Sequence, residues 1–151
     1  MSATNLGETG ILSLFLANVD MANVGDATGL RGSSTAGSWY ISLHIADPGE
    51  TGNQATNEAA YISYARVAVA RSLAQWTIAV GGDSICVGDN DNAITFPACT
   101  GSSETITHVG IGSASSGAGN LFGYGTLTQA LPVSSGVTPS FAAGTLDITL
   151  I

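Results

Sequence analysis

The chain has 151 residues, of which 44% are hydrophobic and only 9% charged, a balance that suits one folded domain and argues against a disordered one. Its basic residues are Arg31, Arg66 and Arg71, with no lysine, against 11 acids, for a formal charge of -8. So few cations leave little to displace counterions from phosphates, which excludes nucleic acid as a partner and disfavours anionic membrane surfaces.

Met1 is followed by Ser-Ala-Thr-Asn, without a basic start or a long apolar run. The expectation is no signal peptide, no membrane span, and synthesis and assembly in the cytoplasm of the producing cell. In that compartment Cys86 and Cys99 are read as free thiols rather than a disulfide.

In chain order, residues 1–20 carry one helix. Asn5 with Glu8 three residues on reads as a capping box, and Ile11, Leu12, Phe15, Leu16 and Val19 recur at helical spacing. The Gly/Ser/Thr-rich stretch from Gly25 to Ser38 reads as a loop. Strands are expected across 38–151. In the first, Trp39, Ile41, Leu43 and Ile45 alternate with Tyr40, Ser42, His44 and Ala46 as in a half-buried strand. Asp47-Pro48-Gly49 ends it, and Gly49 to Ala60 reads as a long polar loop without structure of its own.

Further strands are read at Tyr64–Ser72, Trp76–Val80, Ile85–Val87, Ile94–Phe96, Thr105–Ile111, Leu121–Thr128, Leu131–Ser134 and Thr145–Leu150. Gly81-Gly82, the run from Gly88 to Asn92, and Gly112 to Asn120 supply turns. Eight or nine short strands without a fixed repeat predict an all-β, antiparallel β-sandwich. The reading is a jelly-roll-like single domain over 1–151 with one short N-terminal helix. Strand order is not legible.

Chemistry is sparse. No serine sits in Gly-x-Ser-x-Gly, and the histidines, His44 and His108, each lie on a strand opposite apolar residues. A strand histidine of this kind is a packed residue more often than a general base. Gly110-Ile111-Gly112-Ser113 lacks the third glycine and the helix that a dinucleotide fingerprint needs. Asp89-Asn90-Asp91-Asn92 offers clustered oxygen ligands, with Asp83 as a further acid, but misses the glycine and glutamate of a calcium loop and reads better as a hairpin turn. Trp39 and Trp76 are read as core. No catalytic residue, cofactor or metal site is assigned, and an enzyme is not expected. For a carbohydrate-binding module the discriminating feature is an exposed aromatic pair such as Tyr61 with Tyr64.

Several segments occur in an informative order: Leu43-His44-Ile45-Ala46-Asp47-Pro48-Gly49-Glu50, Asn57-Glu58-Ala59-Ala60-Tyr61, Tyr64-Ala65-Arg66-Val67-Ala68-Val69, Ile94-Thr95-Phe96-Pro97-Ala98, Thr107-His108-Val109-Gly110-Ile111-Gly112 and Pro139-Ser140-Phe141-Ala142-Ala143-Gly144. This ordered set resembles a family of small tailed-phage and prophage virion proteins, often labelled tail fibre proteins. The resemblance implies a non-enzymatic virion structural protein.

Two roles follow from it. In the first, favoured by size and by the absence of repeats, the protein is a cement (head-decoration) protein on the outer surface of the head. There it bridges major capsid subunits and other copies of itself as a homo-oligomer, through interfaces of roughly 1,200–2,000 Å². In the second it is a tail or tail-fibre adaptor. For the cement role the contact regions expected are the N-terminal segment and the 47–60 loop, where Asp47, Glu50, Asn53, Asn57 and Glu58 would meet basic capsid residues.

Overall fold

The computed structural model describes residues 3–25, 28–81 and 85–149. The chain is all-β, with antiparallel sheets and one N-terminal helix, as its patterning predicts. It groups into two compact units, one of Met1–Gly37, Ala70–Ala93 and Phe141–Ile151, the other of Ser38–Val69 and Ile94–Ser140.

In the first unit, helix α1 spans Asn5–Ala17. Its N-cap is Thr4 rather than Asn5: the backbone there is extended (φ -91°, ψ 159°) and the Thr4 hydroxyl accepts the Gly7 N–H. The Glu8 carboxylate does not turn back to the cap but accepts the Cys86 N–H at 3.3 Å. The helix ends at Asn18, left-handed at φ 58°, with the Val19 N–H closing on the Ser13 carbonyl. No base lies in the last turn. Arg71 supplies one from afar, its guanidinium donating to the carbonyls of Phe15 at 2.8 Å, Leu14 at 2.7 Å and Ala36 at 3.2 Å. At 13 residues the helix is too short to cross a membrane.

Under α1 lies the sheet β3-β4-β9, of Trp76–Val80, Cys86–Asn90 and Asp147–Thr149. Leu16 packs against Gly88 so closely that a Cβ there would overlap it. Strand β4 continues through Asp89 and Asn90, which the sequence reading placed in a turn. The reason is tertiary. The Asn90 side chain is buried and fully bonded: its Oδ1 accepts from Thr145 and Leu146, and its Nδ2 donates to the carbonyls of Asn92 and Ala142. One amide thus fastens the C-terminal segment to β4.

The second unit is built on a sheet of order β2-β1-β6-β7. Its strands are β1 Ser38–His44, β2 Val67–Ala70, β6 Ser103–Gly112 and β7 Leu121–Ser134. Strands β1 and β6 pair antiparallel from Tyr40↔Gly112 to His44↔His108, and β6 pairs β7 from Ser103↔Ser134 to Gly112↔Leu121. The two segments read as Leu121–Thr128 and Leu131–Ser134 are therefore one strand. A register shift between Ile106 and His108 absorbs the irregularity. Short strands β5 (Ile94–Thr95) and β8 (Ser140–Phe141) pair in a two-stranded sheet of their own. Ile41, Leu43, Ile106, Tyr61, Phe96 and Val133 fill the core of this unit.

Candidate partner interface around the 47–60 segment

Strand β1 is not half-buried as its alternation predicts. From Ile41 to His44 every residue is buried, on both faces. The polar face is closed by the 47–60 segment, which is ordered by its own side chains and is not the structureless loop its composition suggests.

Three local devices build it. The Asp47 carboxylate accepts the Gly49 N–H at 2.7 Å, and Gly49 takes the left-handed φ of 70° that this turn requires. The Asn53 side-chain oxygen accepts the Ala55 N–H, while the Asn53 backbone N–H donates to the Thr56 hydroxyl. The Asn57 amide donates to the Asp47 carbonyl and closes the base of the loop. The returning chain then pairs with the end of β1: the Ile45 N–H donates to Asn57, and the Ala59 N–H to Leu43.

Gln54 turns inward. It is fully buried, with its Nε2 donating to the Tyr40 carbonyl at 3.2 Å and its Oε1 accepting the Ala114 N–H at 2.9 Å. A Cβ on Gly112 or Gly119 would collide with this side chain. Gly110 likewise leaves room for His44, whose Nε2 would sit 2.7 Å from a Cβ there. The Gly110-Ile111-Gly112 run that mimics a nucleotide fingerprint therefore exists for packing.

Glu58 does not face solvent as a free acid. Its Oε1 accepts from Arg66 Nε at 2.6 Å and from the Tyr64 hydroxyl at 3.0 Å, and its Oε2 accepts from Arg66 Nη2 at 2.7 Å. The Arg66 side chain is 1% exposed and that of Glu58 18%. Arg66 also donates to the carbonyls of Ala114 and Gly117, so one guanidinium holds the 47–60 segment and the β6–β7 loop together. The Tyr64 hydroxyl in turn accepts the Leu43 N–H. This constellation explains why Tyr64–Arg66, read as strand, is irregular: the side chains bond inward, and regular pairing starts at Val67.

Of the five residues expected to meet a partner, Asp47, Glu50, Asn53 and Asn57 are exposed on this segment, and Glu58 is held inside it. Glu50 accepts the Tyr124 hydroxyl at 3.1 Å, which holds that phenol above its ordinary range.

The two histidines meet as register partners on β1 and β6. His44 Nδ1 lies 2.9 Å from the Thr56 carbonyl, which only accepts. The proton is therefore on Nδ1, and Nε2 accepts from the Ser42 hydroxyl at 2.9 Å. This has the connectivity of a serine–histidine pair, but both residues are 0% exposed, so no substrate reaches the hydroxyl. Burial, the largest effect, holds His44 below the usual histidine range. His108, half-buried, bonds the hydroxyls of Thr107 and Thr126.

Tyr61 and Tyr64 stack edge to face with centroids 5.2 Å apart, but Tyr61 is 2% exposed and donates to the Pro97 carbonyl. Burial, with Cys99 and Glu104 nearby, pushes its phenol up to about 12. This pair is core and not a sugar platform. Trp39 and Trp76 are buried, and Cys86 and Cys99 are buried free thiols. Among the described residues no group of acids, histidines and cysteines has the geometry of a metal site. Asp91 accepts the Thr77 hydroxyl, while Asp83, the further acid considered for calcium, lies outside the described residues.

The model of the podophage GP4 fiber I protein gp80 family matches residues 17–149. The chain belongs to this family. Gp80-type chains are phage virion structural proteins under a fibre name, which agrees with the resemblance read from the ordered motifs. The match takes in the nine strands of the described residues, the 47–60 segment and the Glu58–Arg66 clamp, and begins at the last residue of α1. No curated protein matches the chain.

Proposed function

We propose that this gp80-family chain is a non-enzymatic structural subunit carried on the phage tail, as part of a fibre or as the adaptor that seats one. The family match carries the reading, because the family is described by its fibre. Two features of the chain support it. The one serine–histidine pair found is sealed in the core. The exposed 47–60 segment presents Asp47 and Glu50 from a rigid frame, which suits a partner surface bearing arginine or lysine. A frame ordered before contact loses little entropy on docking.

The competing reading places the protein on the head as a cement protein that bridges major capsid subunits. The absence of a fixed repeat in the sequence favours it, since fibre shafts are repetitive. In either place the chain acts by contact. Binding only to the assembled virion, it stabilises that assembly by mass action.

Immunogold labelling of purified virions with an antibody to the chain separates the two. Label at the tail is the expected result. Label spread over the head would replace the fibre reading with cement, and absence of the chain from a digest of purified virions would refute both.

A further inference from the structure

Strand β9 has three residues, Asp147–Thr149, and pairs antiparallel with β4 at Val87↔Thr149, Gly88↔Ile148 and Asp89↔Asp147. So short a strand buries little surface, and elements of this kind open locally with a small free energy. The chain just before it is held more firmly. The buried Asn90 side chain accepts the Thr145 N–H at 3.1 Å and the Leu146 N–H at 2.8 Å, and donates to the Ala142 carbonyl. This anchor ends at Leu146, and the first residue beyond it is Asp147.

At that junction the register sets carboxyl against carboxyl. Directly opposite side chains on antiparallel strands have Cβ atoms about 4.5–5.5 Å apart, and like charges there repel. The pair lies on the sheet face away from α1, because the neighbouring Gly88 packs on Leu16. On β3 the residue opposite Asp89 is Thr77, whose hydroxyl donates to Asp91 at 2.7 Å. β3 itself carries no charged residue, and the one charged residue of α1, Glu8, bonds the Cys86 N–H. The bases have other partners: Arg31 has Asp20, Arg66 has Glu58, and Arg71 has the carbonyls of Leu14 and Phe15.

The charges acting on Asp89 are those of Asp147 and Asp91, both negative. Burial first, then the hydrogen bond to Asp147 and these two charges, hold the Asp89 carboxyl above its ordinary range. A proton between Asp89 and Asp147 replaces repulsion by a hydrogen bond. The docked strand therefore holds that proton more tightly than a released one. Its contribution to docking is complete below the ordinary value of 3.8 and is lost as pH rises through the raised one.

From this register and this anchor we infer that β9 is a pH-sensitive latch, hinged where the Asn90 anchor ends. In acid it closes on β4. At neutral pH the facing carboxylates release it more often, and the β4 edge at 87–89 opens with it. The latch does not depend on which part of the virion carries the protein.

The test is amide hydrogen exchange of the full chain, read residue by residue by NMR and corrected for the intrinsic rate at each pH. The series runs from neutral pH down to just above the isoelectric point of about 4.1. At neutral pH the best-protected amide of 147–149 is expected to be at least about tenfold less protected than those of Thr145 and Leu146. Toward acid its protection should rise by up to about fivefold, the effect of a like-charged cross-strand pair. In Asp147→Asn that rise should vanish, with protection at neutral pH matching the native chain in acid. Protection of 147–149 equal to that of Thr145 and Leu146 would overturn the latch, because the whole segment would then open as one unit. A native chain without the rise, or an Asp147→Asn chain that keeps it, would overturn it too. Should Asp147→Asn misfold, Asp89→Asn removes the same repulsion from the anchored strand and is read in the same way.

Discussion

Replacing Glu58 by glutamine removes the charge from the clamp while keeping its shape. The amide oxygen can still accept from Tyr64 or Arg66, but one of the two Arg66 bonds to this side chain is lost. The Arg66 guanidinium, 1% exposed, is left with the carbonyls of Ala114 and Gly117 and no anion. Stranding one member of a buried pair costs about 3–5 kcal/mol. The 18% exposure of Glu58 lets water reach the clamp, and the two carbonyls remain, so the lower end applies, about 3 kcal/mol. With a urea dependence of about 2 kcal/mol per M, the unfolding midpoint should fall by about 1.5 M.

Arg66→Met combined with Glu58→Gln neutralises both partners, and its loss should be smaller than the sum of the single losses by more than about 1 kcal/mol. A Glu58→Gln protein within about 0.5 kcal/mol of the native one would refute the claim that this pair fastens the 47–60 segment.

Gly112→Ala should cost about 1–3 kcal/mol, because the added methyl meets Gln54 and lies 2.5 Å from the Asn120 carbonyl; thermal unfolding measures it, and a neutral result would show that Gln54 is free to move. His44 titrates below its unfolded value of 6.5, so the unfolded chain binds the extra proton first. Its contribution to stability is therefore complete above 6.5 and is lost as pH falls toward the folded value, a slope in denaturation midpoint that should be absent in His44→Gln. Asp89 stands directly across from Asp147, and burial, a hydrogen bond to Asp147 and the charges of Asp147 and Asp91 hold the Asp89 carboxyl above its usual range. A raised value favours folding in acid and loses that advantage as pH rises, so Asp147→Asn should stabilise at neutral pH by roughly 0.2–1 kcal/mol, with the gain shrinking in acid. Equal stabilisation at both pH values would show that charge is not its cause.

Composition and alternation determined the class of this protein. Period-two runs such as Trp39–Ile45 and Thr105–Ile111 are local, and they named strands that the structure contains. The absence of lysine, and the ordered motifs from Leu43 to Gly144, pointed away from catalysis and nucleic acid and toward a virion protein. What failed were residues whose partners lie far along the chain. Asp89 and Asn90 have turn chemistry, yet Asn90 is in a strand because residues 142, 145 and 146 bond its amide. Tyr64–Arg66 alternates like a strand but bends to deliver a tyrosine and an arginine to Glu58. Glu58, read as a contact for a basic partner, is instead the anion of a nearly buried pair. Local propensity sees only neighbours in sequence. The state of a polar side chain is decided by the donors and acceptors that folding brings to it, and for Gln54, Glu58, Arg66 and Asn90 only the tertiary structure supplies them.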